Sequence, residues 1–292
     1  MASPVGRVAV VTVTYNSGDD IEPFLTSARA AGADSVVVSD NPSPQSATTI
    51  ERAERSGARV VRMPSNVGYG GGVNAAVATL AADIDAVLIS NPDVRLTPDA
   101  IRLLAQTLAE DPQIGAVGPE ILNDDGTVYP SARRVPSLRT GVGHALFFRV
   151  WPRNPWTRAY RQEDVDPTAR RDVGWLSGAC LLVRRTAFDD IGGFDERYFM
   201  YFEDVDLGYR LGKAGWRNLF EPAARVLHSG GKSTASLRPQ MLIAHHRSAD
   251  RFLASKYPGR VLAPLRFALH VGLDLRARWL TRGMLTDDEA DR

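Results

Sequence analysis

The chain has 292 residues, 44% hydrophobic and 24% charged, a balance that builds a globular α/β protein with a sizeable core. A formal net charge of +1 supplies no global field for nucleic acid, so no nucleic-acid partner is expected. The single cysteine, Cys180, rules out a disulfide framework and a cysteine-rich zinc site, and fits a reducing, cytoplasmic setting.

Val8 to Val13 is a near-continuous β-branched run, which predicts a strand buried on both faces. Asn16-Ser17-Gly18 turns the chain, and Asp19 or Asp20 can cap a helix over Ile21 to Ala31. A strand at Val36 to Val38, a helix over Thr48 to Ser56 closed by Gly57, and a strand at Arg59 to Arg62 follow. An alanine-rich helix is predicted over Gly72 to Ala82. Ala86 to Ser90 reads as a strand, Pro98 to Glu110 as a helix and Ile114 to Gly118 as a strand. This alternation with short loops is the signature of a mainly parallel sheet flanked by helices. After the turn Asn123-Asp124-Asp125-Gly126 the character changes. Gly126 to Gln162 holds no acidic residue but seven arginines, among them Arg149 and Arg153, interleaved with Phe147, Phe148, Trp151, Trp156 and Tyr160. Sheet-like sequence resumes at Val173 to Val183, followed by an acidic helix. A last helical pattern spans Val261 to Leu280, with Leu262, Leu265, Leu269 and Leu273 on one stripe and Arg266, His270 and Arg278 on another. Met1 to Arg7 lacks the apolar core of a signal peptide. No uncharged apolar run reaches the roughly 18 residues that a membrane span needs.

Loops after the carboxyl ends of parallel strands are where open α/β sheets bind ligands. Four such loops carry residues suited to a nucleotide-sugar. Thr14-Tyr15-Asn16 offers an aromatic face to a base, and Asp40 can accept the N3–H of uracil or thymine. The run Asn66 to Asn74, N-V-G-Y-G-G-G-V-N, permits close backbone approach and can turn amides toward a diphosphate at a helix N-terminus. Asn91-Pro92-Asp93 puts a carboxylate at a strand end, an oxygen donor suited to Mg²⁺ or Mn²⁺. Each also has a plain reading, as a turn, an Asx-turn or a local cap. Downstream, Glu203, Asp204 and Asp206 stand beside Tyr198, Phe199, Tyr201 and Phe202. Aromatic surroundings desolvate a carboxylate, raise its pKa and make it a stronger base. Asp206 and Arg210 also read as an i,i+4 helix pair, and Phe202, Val205 and Tyr209 as a core stripe.

The series V-T-Y-N, S-D-N-P-S, N-V-G-Y-G-G-G-V-N, S-N-P-D, W-L-S-G-A, G-G-F-D-E, F-E-D-V-D-L-G-Y-R and V-L-H-S-G-G resembles the family 2 glycosyltransferases of the GT-A fold. The resemblance covers about residues 8 to 231, in the family's order. Within the family it is nearest to rhamnosyltransferases of actinobacterial cell-wall synthesis, which move L-rhamnose from dTDP-L-rhamnose to N-acetylglucosaminyl-diphospho-decaprenol. Transferases of galactofuranose or N-acetylglucosamine share these motifs. The resemblance implies a single Rossmann-like mixed sheet in a GT-A domain over 1–232, with a nucleotide-binding half at 1–122 and an acceptor and catalytic half at 123–232. A helical extension over 233–292 would follow.

By the same resemblance, Tyr15 and Asp40 hold the pyrimidine and its ribose. Thr14, Asn16, Asn66, Gly68, Tyr69, Gly72, Asn74 and Asn91 complete the donor set. Asp93 matches the last aspartate of a D-x-D metal motif and His228 a histidine that meets the metal or diphosphate, with Mg²⁺ or Mn²⁺ as cofactor. Asn91 stands where the first aspartate usually sits, which removes one negative ligand. Asp204 matches the catalytic base, flanked by Glu203 and supported by Asp206. Trp175, Ser177 and Gly178 fall on the acceptor side. The implied reaction is a single displacement with inversion, from a dTDP-sugar donor to a lipid-linked glycan acceptor. A nucleotidyltransferase is the rival enzyme, but its G-x-G-x-R signature is replaced here by V-T-Y-N-S-G. A non-catalytic nucleotide-sugar binder is the third reading, and the joint presence of Asp93, Asp204 and His228 argues against it.

The arginine-rich window and the last helical stripe suggest peripheral attachment to a membrane surface at the inner face of the cell membrane. The other reading of the last stripe is packing on the domain's own core or in a homodimer.

Overall fold

The computed structural model describes residues 6–138, 151–161, 166, 168–229 and 238–272. Arg139, Phe147, Phe148 and Arg149 of the arginine-rich window lie outside them, as does the chain beyond 272.

Strands β1 (Val8–Thr14), β2 (Ser35–Asp40), β3 (Arg59–Arg62) and β4 (Ala86–Ser90) alternate with helices α1 (Ile21–Ala30), α2 (Ser46–Arg55) and α3 (Gly68–Val77). Then come β5 (Val94–Leu96), α4 (Ala100–Glu110), β6 (Ile114–Leu122), β7 (Val128–Tyr129), β8 (Ala132–Arg133) and α5 (Pro155–Arg161). The second half adds β9 (Arg171–Val173), β10 (Trp175–Leu176), β11 (Cys180–Arg184), α6 (Arg185–Asp190), α7 (Glu203–Lys213), β12 (Arg217–His228) and α8 (Arg238–Lys256). A further helical stretch covers 263–272.

The main sheet runs β3-β2-β1-β4-β11-β6-β12-β5, with β7 on β6 and β9 on β12. Pairs β3-β2, β2-β1, β1-β4 and β6-β12 are parallel, whereas β11 is antiparallel to both β4 and β6. The sheet is therefore mixed, and the carboxyl ends of β1, β2, β4 and β12 lie along one edge. β1 is wholly buried because both faces of the sheet are covered. One face packs under α1 and α4 through Phe24, Leu25, Leu104 and Leu108, the other under α3, α6 and α7 through Val73, Phe188 and Leu207.

Several element boundaries depart from the sequence reading. α3 starts at Gly68 rather than Gly72 and stops at Val77. The glycine run reads as loop by propensity, yet α3 lies so close to the sheet that a Cβ on Gly72 would meet Val13 Cγ1 at 2.8 Å. β6 runs on to Leu122, and β12 begins at Arg217, because the two strands pair along most of their length. Asp20 stands at the N-cap of α1 without a side-chain cap bond; its carboxylate faces Arg95 at 3.7 Å instead.

A third, small apolar cluster joins Tyr198 and Val205 to Phe252 of α8, with Phe202, Tyr209 and Trp175 against it. Cys180 is a core residue whose thiol is pushed up to about 12 by burial, so it stays inert. Among the described residues no helix is long and apolar enough to cross a membrane.

Candidate active site

The loops at the strand ends are held together by side chains before any ligand is considered. Thr14 Oγ1, at the end of β1, donates to Asp40 Oδ1 at 2.7 Å, across the register pair Thr14–Asp40. Both residues are buried, so the hydrogen bond fixes the Asp40 carboxylate at the sheet edge. Tyr15 is half-buried beside it. Asn16 takes a left-handed backbone (φ 54°), its amide donates to Ser43 Oγ at 3.2 Å, and its Oδ1 is buried without a partner.

Asn41, in the S-D-N-P-S motif after β2, anchors two loops to each other. Its Oδ1 accepts from Val67 N at 3.1 Å and its Nδ2 donates to the Gly68 carbonyl at 3.2 Å, so it ties the β2 loop to the start of α3. A lone Asn after Asp in a Pro-containing loop carries no signal for this. Asn66 accepts from Gly68 N at 3.0 Å, and Tyr69 N donates to the Phe199 carbonyl at 3.2 Å. Two of the first amides of α3 are thus engaged within the protein rather than turned to a phosphate. Asn74 likewise faces away from a diphosphate: its Nδ2 donates to Phe194 O at 2.9 Å and its Oδ1 accepts from Phe194 N at 2.9 Å. Gly72 is a packing glycine against Val13. The glycine-rich run thus makes close packing and loop-anchoring contacts at Gly68, Tyr69, Gly72 and Asn74.

The same run reaches the acidic segment. Tyr69 Oη donates to Gly178 O at 2.6 Å, and Gly178 N donates to Asp204 Oδ2 at 3.0 Å. Burial, with Glu203 nearby, holds the Tyr69 hydroxyl well above its ordinary value, so it remains a donor. Val205 N donates to Asp204 Oδ1 at 2.8 Å. Asp204 therefore has an amide on each oxygen at the N-terminus of α7, where the helix dipole also favours an anion. Burial nonetheless raises its pKa above the usual carboxylate range. Glu203 is less well served: its Oε2 is buried and unpartnered, and burial beside the Asp204 charge pushes its carboxyl up to about 8. Asp206 is buried and paired with Arg210 at 2.6 Å, and Arg210 also donates to Ile191 O at 2.8 Å. Burial raises the Asp206 carboxyl, and Arg210 opposes the rise.

The W-L-S-G-A segment lies between the two chemical centres. Asn91 N donates to Ala179 O at 2.9 Å, which brings the Asn91-Pro92-Asp93 loop beside Gly178. Ser177 is buried, with its amide on Ser131 O at 2.7 Å. Trp175 Nε1 donates to Arg134 O at 3.1 Å, and the Arg133 guanidinium stands 5.8 Å from the Trp175 ring. The register of β12 on β5 sets His228 opposite Val94, next to Asp93. His228 Nε2 comes 3.1 Å from Asp93 Oδ1, yet that oxygen is buried without a hydrogen bond. Two ligand-type atoms converge here out of hydrogen-bond line, which fits a shared divalent cation. Their donor set, one carboxylate oxygen and one imidazole nitrogen, suits Mn²⁺ or Mg²⁺. Asn91 Nδ2 lies 3.5 Å from His228 Nε2. Among the described residues no group of three or more His, Cys, Asp or Glu converges as a metal cage.

The family described as Glycosyltransferase like family 2 matches residues 4–243. An N-acetylglucosaminyl-diphospho-decaprenol L-rhamnosyltransferase of Mycobacterium tuberculosis is 46% identical over 287 residues, covering 94% of this chain and 93% of its own. A mannosyltransferase from Pyrobaculum calidifontis, solved with GDP-Man and Mn²⁺, superposes with TM-score 0.60 at 18% identity, over 99% of this chain and 77% of its own. GalNAc-T7, solved with UDP, GalNAc and Mn²⁺, superposes with TM-score 0.55 at 14% identity, over 92% of this chain and 54% of its own. These two share the fold. With the mixed sheet and its loop-lined edge, the matches lead to one conclusion: the chain belongs to glycosyltransferase family 2 and is a glycosyltransferase of the GT-A fold.

Proposed function

We propose that the protein transfers L-rhamnose from dTDP-L-rhamnose to a polyprenyl-diphosphate-linked N-acetylglucosamine, with inversion at the anomeric carbon. The observation that carries this reading is the 46% identity, over nearly the whole chain, to a relative named for that reaction. The site chemistry agrees with it. Asp204, with an amide on each carboxylate oxygen, is the residue best kept anionic, and it takes the proton of the acceptor hydroxyl as that hydroxyl attacks. Glu203, whose Oε2 is buried without a partner, keeps a proton and spares Asp204 a second adjacent charge. Asp206 with Arg210 braces α7 against the 191 loop. Thr14, Asp40 and Tyr15 receive the pyrimidine, and Trp175, Ser177 and Gly178 line the acceptor side. Asp93 and His228 would hold Mg²⁺ or Mn²⁺, which offsets the charge on a leaving diphosphate when bound. The 1–232 domain does this chemistry at the inner face of the membrane, where a lipid-linked acceptor is met peripherally.

The test is a transfer assay with purified protein and lipid-linked N-acetylglucosamine diphosphate. It is run with dTDP-L-rhamnose, UDP-galactofuranose and UDP-N-acetylglucosamine, each with Mn²⁺ and with excess chelator. Rhamnosyl product that depends on the metal is expected. Product from another donor in preference to dTDP-rhamnose would overturn the sugar, and full activity in chelator would overturn the metal.

A further inference from the structure

Two consecutive residues before α7, Tyr201 and Phe202, have left-handed backbones, φ 65° and φ 64°. Neither is glycine, and Phe202 is the N-cap of the helix that presents Glu203 and Asp204. A bulky L-residue in that region costs roughly 1–2 kcal/mol, and such residues persist only where their surroundings over-determine them. On the upstream side the constraint is the Tyr69 amide on the Phe199 carbonyl. Within α7, Asp206 N donates to Phe202 O at 2.8 Å, and side chains of α8 contact this pair and its neighbour Met200. Ser248 Oγ donates to Met200 O at 2.9 Å. The His245 ring stands edge-on to Tyr201 at 5.5 Å and to Phe202 at 5.3 Å. Phe252, fully buried, packs on Phe202 at 5.7 Å and on Tyr209 of α7 at 5.7 Å. α8 is itself fastened to the 136–138 segment, where Lys256 Nζ donates to Pro136 O at 2.6 Å and Leu138 N donates to Tyr257 Oη at 3.2 Å.

We infer that α8 is a clamp for the catalytic acids, with Ser248, His245 and Phe252 as positioning residues that hold Tyr201 and Phe202 in the strained turn from which Asp204 is aimed. The inference rests on the assignment of Asp204 as base. Without the clamp, the pair relaxes toward negative φ and the first turn of α7 rotates. Asp204 then leaves the Gly178 amide. Misplacing a reacting group by about 1 Å costs on the order of 10²-fold in rate.

The test has two readouts. Backbone amide exchange is followed over peptides spanning 199–206, with β1 as the reference. In Ser248→Ala, exchange over 199–206 should accelerate at least about tenfold while β1 is unchanged, and Ser248→Thr, which keeps the hydroxyl, should restore protection. In the transfer assay kcat of Ser248→Ala should fall about 10- to 100-fold, with dTDP affinity within about twofold of the parent. Phe252→Leu, which keeps an apolar filler, provides a second variant with the same expected signature. A role in stability alone would lower Tm and spread exchange over the whole chain while leaving kcat per folded molecule intact, and that result overturns the clamp. So does unchanged exchange over 199–206. Failure of the base assignment shows separately, as retained transfer in Asp204→Asn with the exchange result still positive.

Discussion

Glu203 and Asp204 are neighbours in the chain and differ in what faces them. Asp204 accepts two backbone amides, whereas Glu203 Oε2 is buried with none. Removing the base without changing its shape, by Asp204→Asn, should lower transfer by about 10²–10⁴-fold while calorimetric binding of dTDP stays close to the parent's. Near-normal turnover would assign the base elsewhere. For Glu203 the consequence is in stability. Its carboxyl moves from an ordinary 4.5 to about 8 in the fold, so over that range the folded protein keeps a proton that the unfolded chain has released. Stability from this group is therefore full below about pH 4.5 and declines as pH rises toward about 8. Glu203→Gln removes the titration. Its unfolding free energy should exceed the parent's by on the order of 1–3 kcal/mol near pH 8 and by little near pH 4. Equal differences at both pH values, read by urea titration, would contradict the buried neutral acid. The aromatic-flanked acids were legible as a candidate site from Glu203, Asp204 and their neighbours in sequence. Which acid holds the proton was not, because the amides of Gly178 and Val205 are brought to Asp204 only by folding.

At the scale of elements, α3 joins the donor edge to the acid segment. Gly68, with φ +79°, makes the turn into α3, and a Cβ there would stand 2.1 Å from the Phe199 carbonyl oxygen. Gly68→Ala should thus both strain the turn and push the 199 segment away, with a destabilisation of about 2–4 kcal/mol and loss of transfer. A thermal melt with the Gly68→Ala midpoint within a degree of the parent's would refute the close approach. The sequence reading placed a helix here but began it four residues late, since three glycines in a row weigh against a helix by propensity. Strands β1, β3 and β4 were readable because continuous apolar or β-branched runs have few other uses. Glu221-Pro222 interrupts the strand pattern of β12, and the register shift between Glu221 and Arg225 absorbs the interruption.

At the scale of the whole molecule, the lipid-linked acceptor proposed above would have to reach the acid segment from a membrane surface. Trp151 is 53% exposed and Arg153 stands exposed beside it, and Phe267 on the 263–272 helix is 69% exposed. Aromatic and arginine side chains presented together suit an anionic headgroup layer, at about 1 kcal/mol per basic residue near the surface. Flotation with anionic vesicles should show binding at low salt and release at high salt, weakened by Trp151→Ala with Arg153→Glu. No flotation at low salt would rule out attachment through these side chains. Arg266 is engaged by its own chain, donating to the carbonyls of Tyr257 and Gly259 at 2.6 Å each, which withdraws one charge from the basic stripe read in sequence. The sequence by itself determined the α/β alternation, the family and the residue types at the sheet edge, because β-branched runs, turn residues and ordered motifs are local properties of the chain. Only the tertiary structure decided that Asn74 bonds to the Phe194 backbone and Gly72 lies against Val13, that His228 and Asp93 converge, and that α8 sits on Tyr201 and Phe202. Those facts depend on which strands pair and how closely helices approach, and residues far apart in the chain meet only when the free energy of the whole fold brings them together.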